Sequence, residues 1–418
     1  MKRIKENFIY IAVRNVYWKV KRKIRGLISK GYRFYTLRLL YPKIYEKGIK
    51  KELDNSKIVF IEVRAPEISD SFRILYDRLQ NGYNLNIKEH FLGTSFVSRR
   101  ENIIRTKAMI EDISDAKYIF LNESTNVLSF LKLRKETVVT QLWHACGAFK
   151  KFGMSTADLL FGDDRKTLEK YPYHKNYTYA TVSSPEVVWA YEEAMGYEDK
   201  KGVVVPVGVS RTDYFFKDEV KENAFEMLYK FFPEAKGKKV ILYAPTFRGR
   251  VANAKTPNLL DVEMFRKNFE DEYVLVFKHH PFVKDRPSIQ EECVKFARDL
   301  TEEMSIEQLL IVSDICISDY SSLIFEYSLF ERPMIFFAYD LDEYYDWRGF
   351  YYDFKNFVPG PIYADNESMI KYITDVEQRF DRKQVVEFRD KFMSACDGHA
   401  TDRIMELVFQ DKIECYRG

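Results

Sequence analysis

From residue 55 onward, apolar runs of four to six residues alternate with amphipathic stretches of helical spacing. The first runs cover residues 59–63, 118–122, 138–143 and 178–183. A second series covers 203–207, 240–243, 273–277, 315–318 and 334–338. Helical patterns separate many of them, for example over 71–80, 185–195 and 322–330. Strand–helix alternation of this kind predicts an α/β chain whose parallel sheets are covered on both faces. A chain of 418 residues is too long for one ordinary core. The turn-rich stretch 206–213 marks the break between two doubly wound domains. We therefore expect a basic segment over 1–51, one α/β domain over 52–205, a second over 206–385, and a last helix over 386–418 that returns across the junction. Two such domains facing across a cleft bring their ligands to the carboxyl ends of strands.

The chain is 46% hydrophobic and 31% charged, the balance of a globular protein, and its 33 Phe and 29 Tyr can fill two cores. Its five cysteines are scattered with no CxxC pair, which argues for a reducing compartment and against a disulfide framework or a zinc site. The net charge of +3 hides an asymmetry: residues 1–51 hold sixteen Lys or Arg against Glu6 and Glu46, a net +14, which leaves −11 on the rest. A nucleic-acid partner is not expected, because the basic charge is confined to one end. Ile9, Val13, Val16, Val20, Ile24 and Leu27 recur at helical spacing there, with Lys19, Lys21, Arg22, Lys23 and Arg25 between them. Arg14 interrupts the apolar run, so a membrane span is absent, and recurring charge argues against a cleaved signal peptide. The pattern predicts a helix lying on an anionic membrane surface.

Chemistry-bearing residues gather where strand patterns end. In Gln141-Leu-Trp-His-Ala-Cys-Gly-Ala-Phe-Lys-Lys-Phe-Gly153, His144 follows a strand and can take a hydroxyl proton near neutral pH. Gly147 allows close backbone approach, and Lys150 and Lys151 supply charge for a phosphate. In Tyr243-Ala-Pro-Thr-Phe-Arg248, Thr246 and Arg248 suit phosphate oxygens. His280 in Lys278-His-His-Pro-Phe282 can donate to a diphosphate. Asp319, Ser321 and Ser322 in Ser318-Asp-Tyr-Ser-Ser322 open a helical pattern, an arrangement suited to anions. Arg348 follows a Tyr- and Asp-rich loop, and Arg403 closes Asp397-Gly-His-Ala-Thr-Asp-Arg403. Such a set fits a transferase whose charge develops on phosphate oxygens. No acidic pair at metal-ligand spacing stands out, so no tightly bound metal or cofactor is expected, while loosely bound Mg²⁺ fits the chemistry.

These motifs, together with Arg332-Pro-Met-Ile-Phe336, Tyr339-Asp-Leu341, Arg348-Gly-Phe-Tyr351 and Pro359-Gly-Pro361, resemble the CDP-glycerol glycerophosphotransferases of teichoic acid synthesis, in family order over roughly residues 55–408. The resemblance implies a GT-B-like fold with an acceptor-side N-terminal domain and a CDP-binding C-terminal domain. It implies a CDP-glycerol or CDP-ribitol donor, an undecaprenyl-linked acceptor, and work as a peripheral protein at the cytoplasmic face of the membrane. His144 matches the family's general base and His280 its second essential histidine. Thr246, Arg248, Asp319, Ser321 and Ser322 fall in donor-binding segments. Many glycerol-polymerising members read His-Gly-Thr-Pro where this chain has His144-Ala-Cys-Gly147, a form closer to members that handle ribitol phosphate. Two rival readings remain open: a GT-B glycosyltransferase using a sugar nucleotide, and an inactive membrane-docked binding subunit.

Overall fold

The computed structural model describes residues 18, 20, 21, 23–160, 162–249, 254–257 and 259–417, without the side chains of 345–348 and 411. Its framework is two six-stranded sheets, parallel throughout. The first has the order β2-β1-β3-β4-β5-β6, with β1 Asp54–Glu62, β2 Asn86–Phe91, β3 Ala116–Leu121, β4 Val138–Gln141, β5 Tyr179–Thr181 and β6 Val204–Val205. The second has the order β12-β11-β10-β7-β8-β9, with β7 Lys239–Ala244, β8 Tyr273–Phe277, β9 Ala297–Asp299, β10 Ile315–Ser318, β11 Met334–Phe337 and β12 Ile362–Tyr363. All nine expected runs contain a strand. The run over 203–207 holds β6, which pairs with β5 through Ala180↔Val204 and Thr181↔Val205 and completes the first sheet, on the N-terminal side of the boundary at 206.

Strand order fixes where ligands can sit. In the first sheet the chain runs from β1 outward to β2 and returns to the other side of β1 at β3. In the second it runs from β7 to β8 and β9, then returns beside β7 at β10. Each reversal opens a crevice beyond the carboxyl ends of the two central strands. In the first sheet Glu62 and Asn122 border that crevice; in the second, Pro245–Arg248 and Asp319–Ser322 do.

The central strands β1, β3, β7, β8 and β10 are apolar because both faces are covered, and β8 is buried along its whole length. The two halves also share a core. Phe149, from the loop after β4, lies among Phe350, Phe354 and Phe357 with ring centroids 5.0–5.9 Å apart. The last helix, Ala400–Phe409, packs Phe409 against Tyr118 and Phe120 of β3 at 4.6 and 6.1 Å. Its first backbone N–H groups, on Ala400 and Thr401, donate to the Asp213 carboxylate at 3.0 and 2.7 Å, so the segment linking the sheets caps this helix.

At the N-terminal end, residues 23–35 are helical and lead into Tyr41–Gly48. Of the expected apolar face, Val20, Ile24 and Leu27 stand on helix and are 49%, 51% and 70% exposed, beside Trp18 at 53%. Ile9, Val13 and Val16 lie outside the described residues. Among the described residues, no helix is long and apolar enough to cross a membrane.

Candidate active site

The chain turns sharply at the end of β4, and that turn presents His144. Trp143 takes a left-handed backbone conformation, φ +59°, which a bulky residue adopts only under constraint. The constraint is the Gln141 side chain, whose carbonyl accepts the Trp143 N–H at 3.0 Å while its amide donates to Glu123 O at 3.1 Å. Trp143 then stacks on the His144 ring, centroids 4.6 Å apart. The His144 Nδ1 lies 2.9 Å from the Asn122 carbonyl. A carbonyl can only accept, so Nδ1 carries the proton and Nε2 keeps its lone pair. The residue is exposed to solvent, yet the surrounding protein still partly desolvates its ring. Burial, with the charges of Arg211 and Arg64, lowers its pKa below 6.5 against the opposing pull of the Asn122 bond. His144 is therefore neutral at pH 7, in the tautomer a general base requires.

A polar floor holds Asn122 in place. Its amide donates to Glu62 Oε2 and Ser69 Oγ, both at 2.8 Å, and Glu62 Oε1 accepts the Ser69 N–H at 2.7 Å. The expected residues did not include these, although a carboxylate and an amide at the ends of adjacent central strands were a visible signal. Arg211 was missed as well. Partly buried in the linker, it pairs with Glu307 at 3.0 Å and with Glu326. Burial alone would weaken its charge, and the two carboxylates overcome that.

His280 stands on the opposite wall, after β8. Here the polarity is reversed: its Nδ1 accepts the Phe282 N–H at 3.2 Å, which leaves the proton on Nε2. Phe247 and Phe282 flank the ring at 4.7 and 4.6 Å. Burial, aided by the Lys150 charge, pushes its pKa down to about 4. Lys150 thus reaches from the first half toward the His280 wall. Its strand-like bridge to Phe350 and the Lys151 N–H bond to Gly349 O at 3.1 Å hold the two lysines there.

The other expected residues divide by whether their polar groups are already used. Arg248 makes a two-pronged pair with Asp340 at 2.6 and 3.0 Å, an ion pair with Asp319 at 2.9 Å and a bond to Thr246 O at 2.6 Å. Tyr320 and Tyr344 lie 5.1 Å from its guanidinium. Asp319 accepts the N–H groups of Thr246 and Tyr320 at 2.8 and 2.6 Å. These residues knit the ends of β7 and β10 together. Among the described residues the Thr246 hydroxyl has no partner. Ser321 and Ser322 precede the short helix Leu323–Ser328 and are partly exposed.

Gly147 has both backbone groups engaged, its N–H by Ser183 at 2.9 Å and its carbonyl by Tyr191 at 3.0 Å. At φ +62°, a Cβ there would sit 2.2 Å from Phe325, so this glycine admits the opposing domain rather than a ligand. Arg403 is tied to Val207 O at 3.0 Å and to Asp397 at 2.8 and 3.1 Å, beside the linker. Arg348 ends the helix Leu341–Arg348, and its side chain lies outside the described residues. Among the described residues no group of three His, Cys, Asp or Glu is placed to hold a metal.

Comparison with known proteins gives the family and agrees with the two-sheet fold. Residues 44–410 match the family model described as CDP-Glycerol:Poly(glycerophosphate) glycerophosphotransferase. The chain is 35% identical over 393 residues to a teichoic acid ribitol-phosphate primase of Bacillus spizizenii, covering 93% of this chain and 96% of that one. It is 27% identical over 403 residues to a teichoic acid glycerol-phosphate primase of Bacillus subtilis, covering 92% and 98%. The solved wall teichoic acid polymerase TagF has the same GT-B-like fold, with a TM-score of 0.73 at 23% identity over 96% of this chain and 98% of that one. With two switch-point crevices, a histidine on each wall and a match over nearly its whole length, the chain belongs to the CDP-glycerol:poly(glycerophosphate) glycerophosphotransferase family, enzymes that transfer an alditol phosphate.

Proposed function

We propose that this enzyme transfers ribitol phosphate from CDP-ribitol to the hydroxyl of a lipid-linked teichoic-acid-type acceptor, with His144 as general base. The observation that carries the base assignment is the bond from His144 Nδ1 to Asn122 O, which leaves Nε2 unprotonated at a strand's carboxyl end. The acceptor hydroxyl gives its proton to Nε2 as its oxygen bonds to the phosphorus bearing the alditol. The bond from that phosphorus to the bridging oxygen breaks, and CMP leaves with the electron pair. His280 Nε2–H donates to the departing phosphate, and Lys150 adds positive charge beside it. Arg248 and Asp319 act by holding the β7 and β10 ends in register for the donor, because their own polar groups face each other. The higher identity to the ribitol-phosphate primase, with the His144-Ala-Cys-Gly147 form, favours ribitol over glycerol.

Peripheral attachment at the cytoplasmic membrane face is part of the same reading, supported by the +14 charge of residues 1–51 and the exposed Trp18, Ile24 and Leu27. The test is turnover by purified protein of CDP-ribitol, CDP-glycerol and UDP-sugars with a soluble acceptor analogue. CMP release from CDP-ribitol, with product length measured in parallel, is the expected result. Turnover of a UDP-sugar alone would establish the glycosyltransferase rival.

A further inference from the structure

A large cavity lies away from the chemistry. It is an open concavity of about 950 Å³, lined among others by Thr137, Thr178 and Val203, the residues that precede β4, β5 and β6. It therefore opens at the amino ends of the strands whose carboxyl ends border His144. Eight of its lining residues are Lys or Arg, and one, Glu169, is acidic. Three cations come from two stretches of the chain: Lys132 and Lys135 before β4, and Lys175 before β5. All three are exposed, and none of their ammonium groups pairs with a carboxylate among the described residues. Arg134 is spent on Ser114 O at 3.0 Å and Ile49 O at 2.6 Å, and Lys201 is paired with Glu192. The three lysines gathered over one concavity repel one another unless an anion occupies it.

The occupant's character follows from the rim. Arg38, which donates to Lys170 O at 3.1 Å and covers Phe130 at 5.1 Å, brings the N-terminal helical segment to the cavity's edge. On the same helical segment, outside the cavity lining, Phe34, Tyr35 and Leu39 are 47%, 53% and 53% exposed. A soluble phosphate or a free phosphodiester chain has no use for exposed apolar side chains next to its binding site. An anionic phospholipid has, since its phosphate lies directly beneath hydrocarbon. We infer that this cavity is a headgroup site for anionic phospholipid, which seats the sheet's amino end on the membrane and leaves the His144 cleft facing away from that contact. The inference rests on the membrane-face reading above, but on groups outside the segment 1–30.

The test uses the full chain carrying Lys132→Gln, Lys135→Gln and Lys175→Gln together, against a Lys→Arg counterpart. Cosedimentation is measured with phosphatidylglycerol/phosphatidylcholine vesicles and with phosphatidylcholine vesicles alone. At roughly a fivefold contribution per lysine near an anionic surface, the triple Gln variant should lose on the order of a hundredfold in affinity for the anionic vesicles. The Arg variant should keep it, and CMP release with a soluble acceptor should stay at the wild-type rate in both. Undiminished binding of the Gln variant to anionic vesicles overturns the inference. So does an unchanged vesicle affinity coupled to lost binding of soluble poly(glycerol phosphate), which would assign the cavity to a polymer. Failure of CMP release in the wild-type protein would instead count against the transferase reading and leave the vesicle result to be read alone.

Discussion

The two walls of the cleft carry one histidine each, and the bonds that hold them are of opposite polarity. On the first wall a carbonyl fixes the proton of His144 on Nδ1 and exposes a lone pair. On the second a backbone N–H occupies Nδ1 of His280 and exposes a proton. The same residue type thus serves as acceptor on one side and donor on the other, set by a single main-chain group in each case. Burial lowers the pKa of both, so the pair stays neutral at pH 7 and neither role depends on a charged imidazole.

The sharpest way to break that comparison is to replace each histidine by a residue that keeps only one polarity. His144→Gln offers no base of useful strength, and kcat should fall by roughly 10²–10⁴ with little change in CDP-alditol affinity. A single-turnover rate within tenfold of wild type would remove His144 from proton transfer. At His280, where a donor is needed, Ala should lose more than Gln, whose amide N–H can partly replace Nε2–H. Equal losses for the two would mean that His280 acts by shape alone.

A further expected loss lies in the shared core. Gly147→Ala strains a positive φ and drives a methyl into Phe325, which should cost about 1–3 kcal/mol and lower the melting temperature. An unchanged melting temperature would show that the domains can part slightly at that contact. Smaller still for the chemistry is removal of residues 2–30, which should weaken vesicle binding while turnover of a soluble acceptor persists. Unchanged vesicle binding would contradict docking through this segment.

Much of the architecture could be read in the sequence because central parallel strands are apolar on both faces. The strands that escaped notice are at the edges. β2 carries Lys88, Glu89 and His90 within six residues, β12 is two residues long and β9 three. Edge strands of this kind lack the uninterrupted apolar run that marks a buried one. The site was legible as a set of strand ends and less so as a set of roles. Arg248 reads as a phosphate ligand until Asp340, 92 residues away, is found holding its fork. Arg211 carries no local motif, and its partners lie 96 and 115 residues further on. Which arginine is free and which is spent depends on pairings that local sequence does not record.

The pH dependence of kcat/KM, measured for wild type, His144→Gln and His280→Gln, tests the central claim most directly. With His144 as the base, wild-type activity is flat near pH 7 and falls as pH drops through a pKa below 6.5, where Nε2 takes up a proton. The account predicts that this acid limb survives in His280→Gln and disappears from the residual activity of His144→Gln. An acid limb that persists in His144→Gln and vanishes in His280→Gln would reverse the two roles and contradict it.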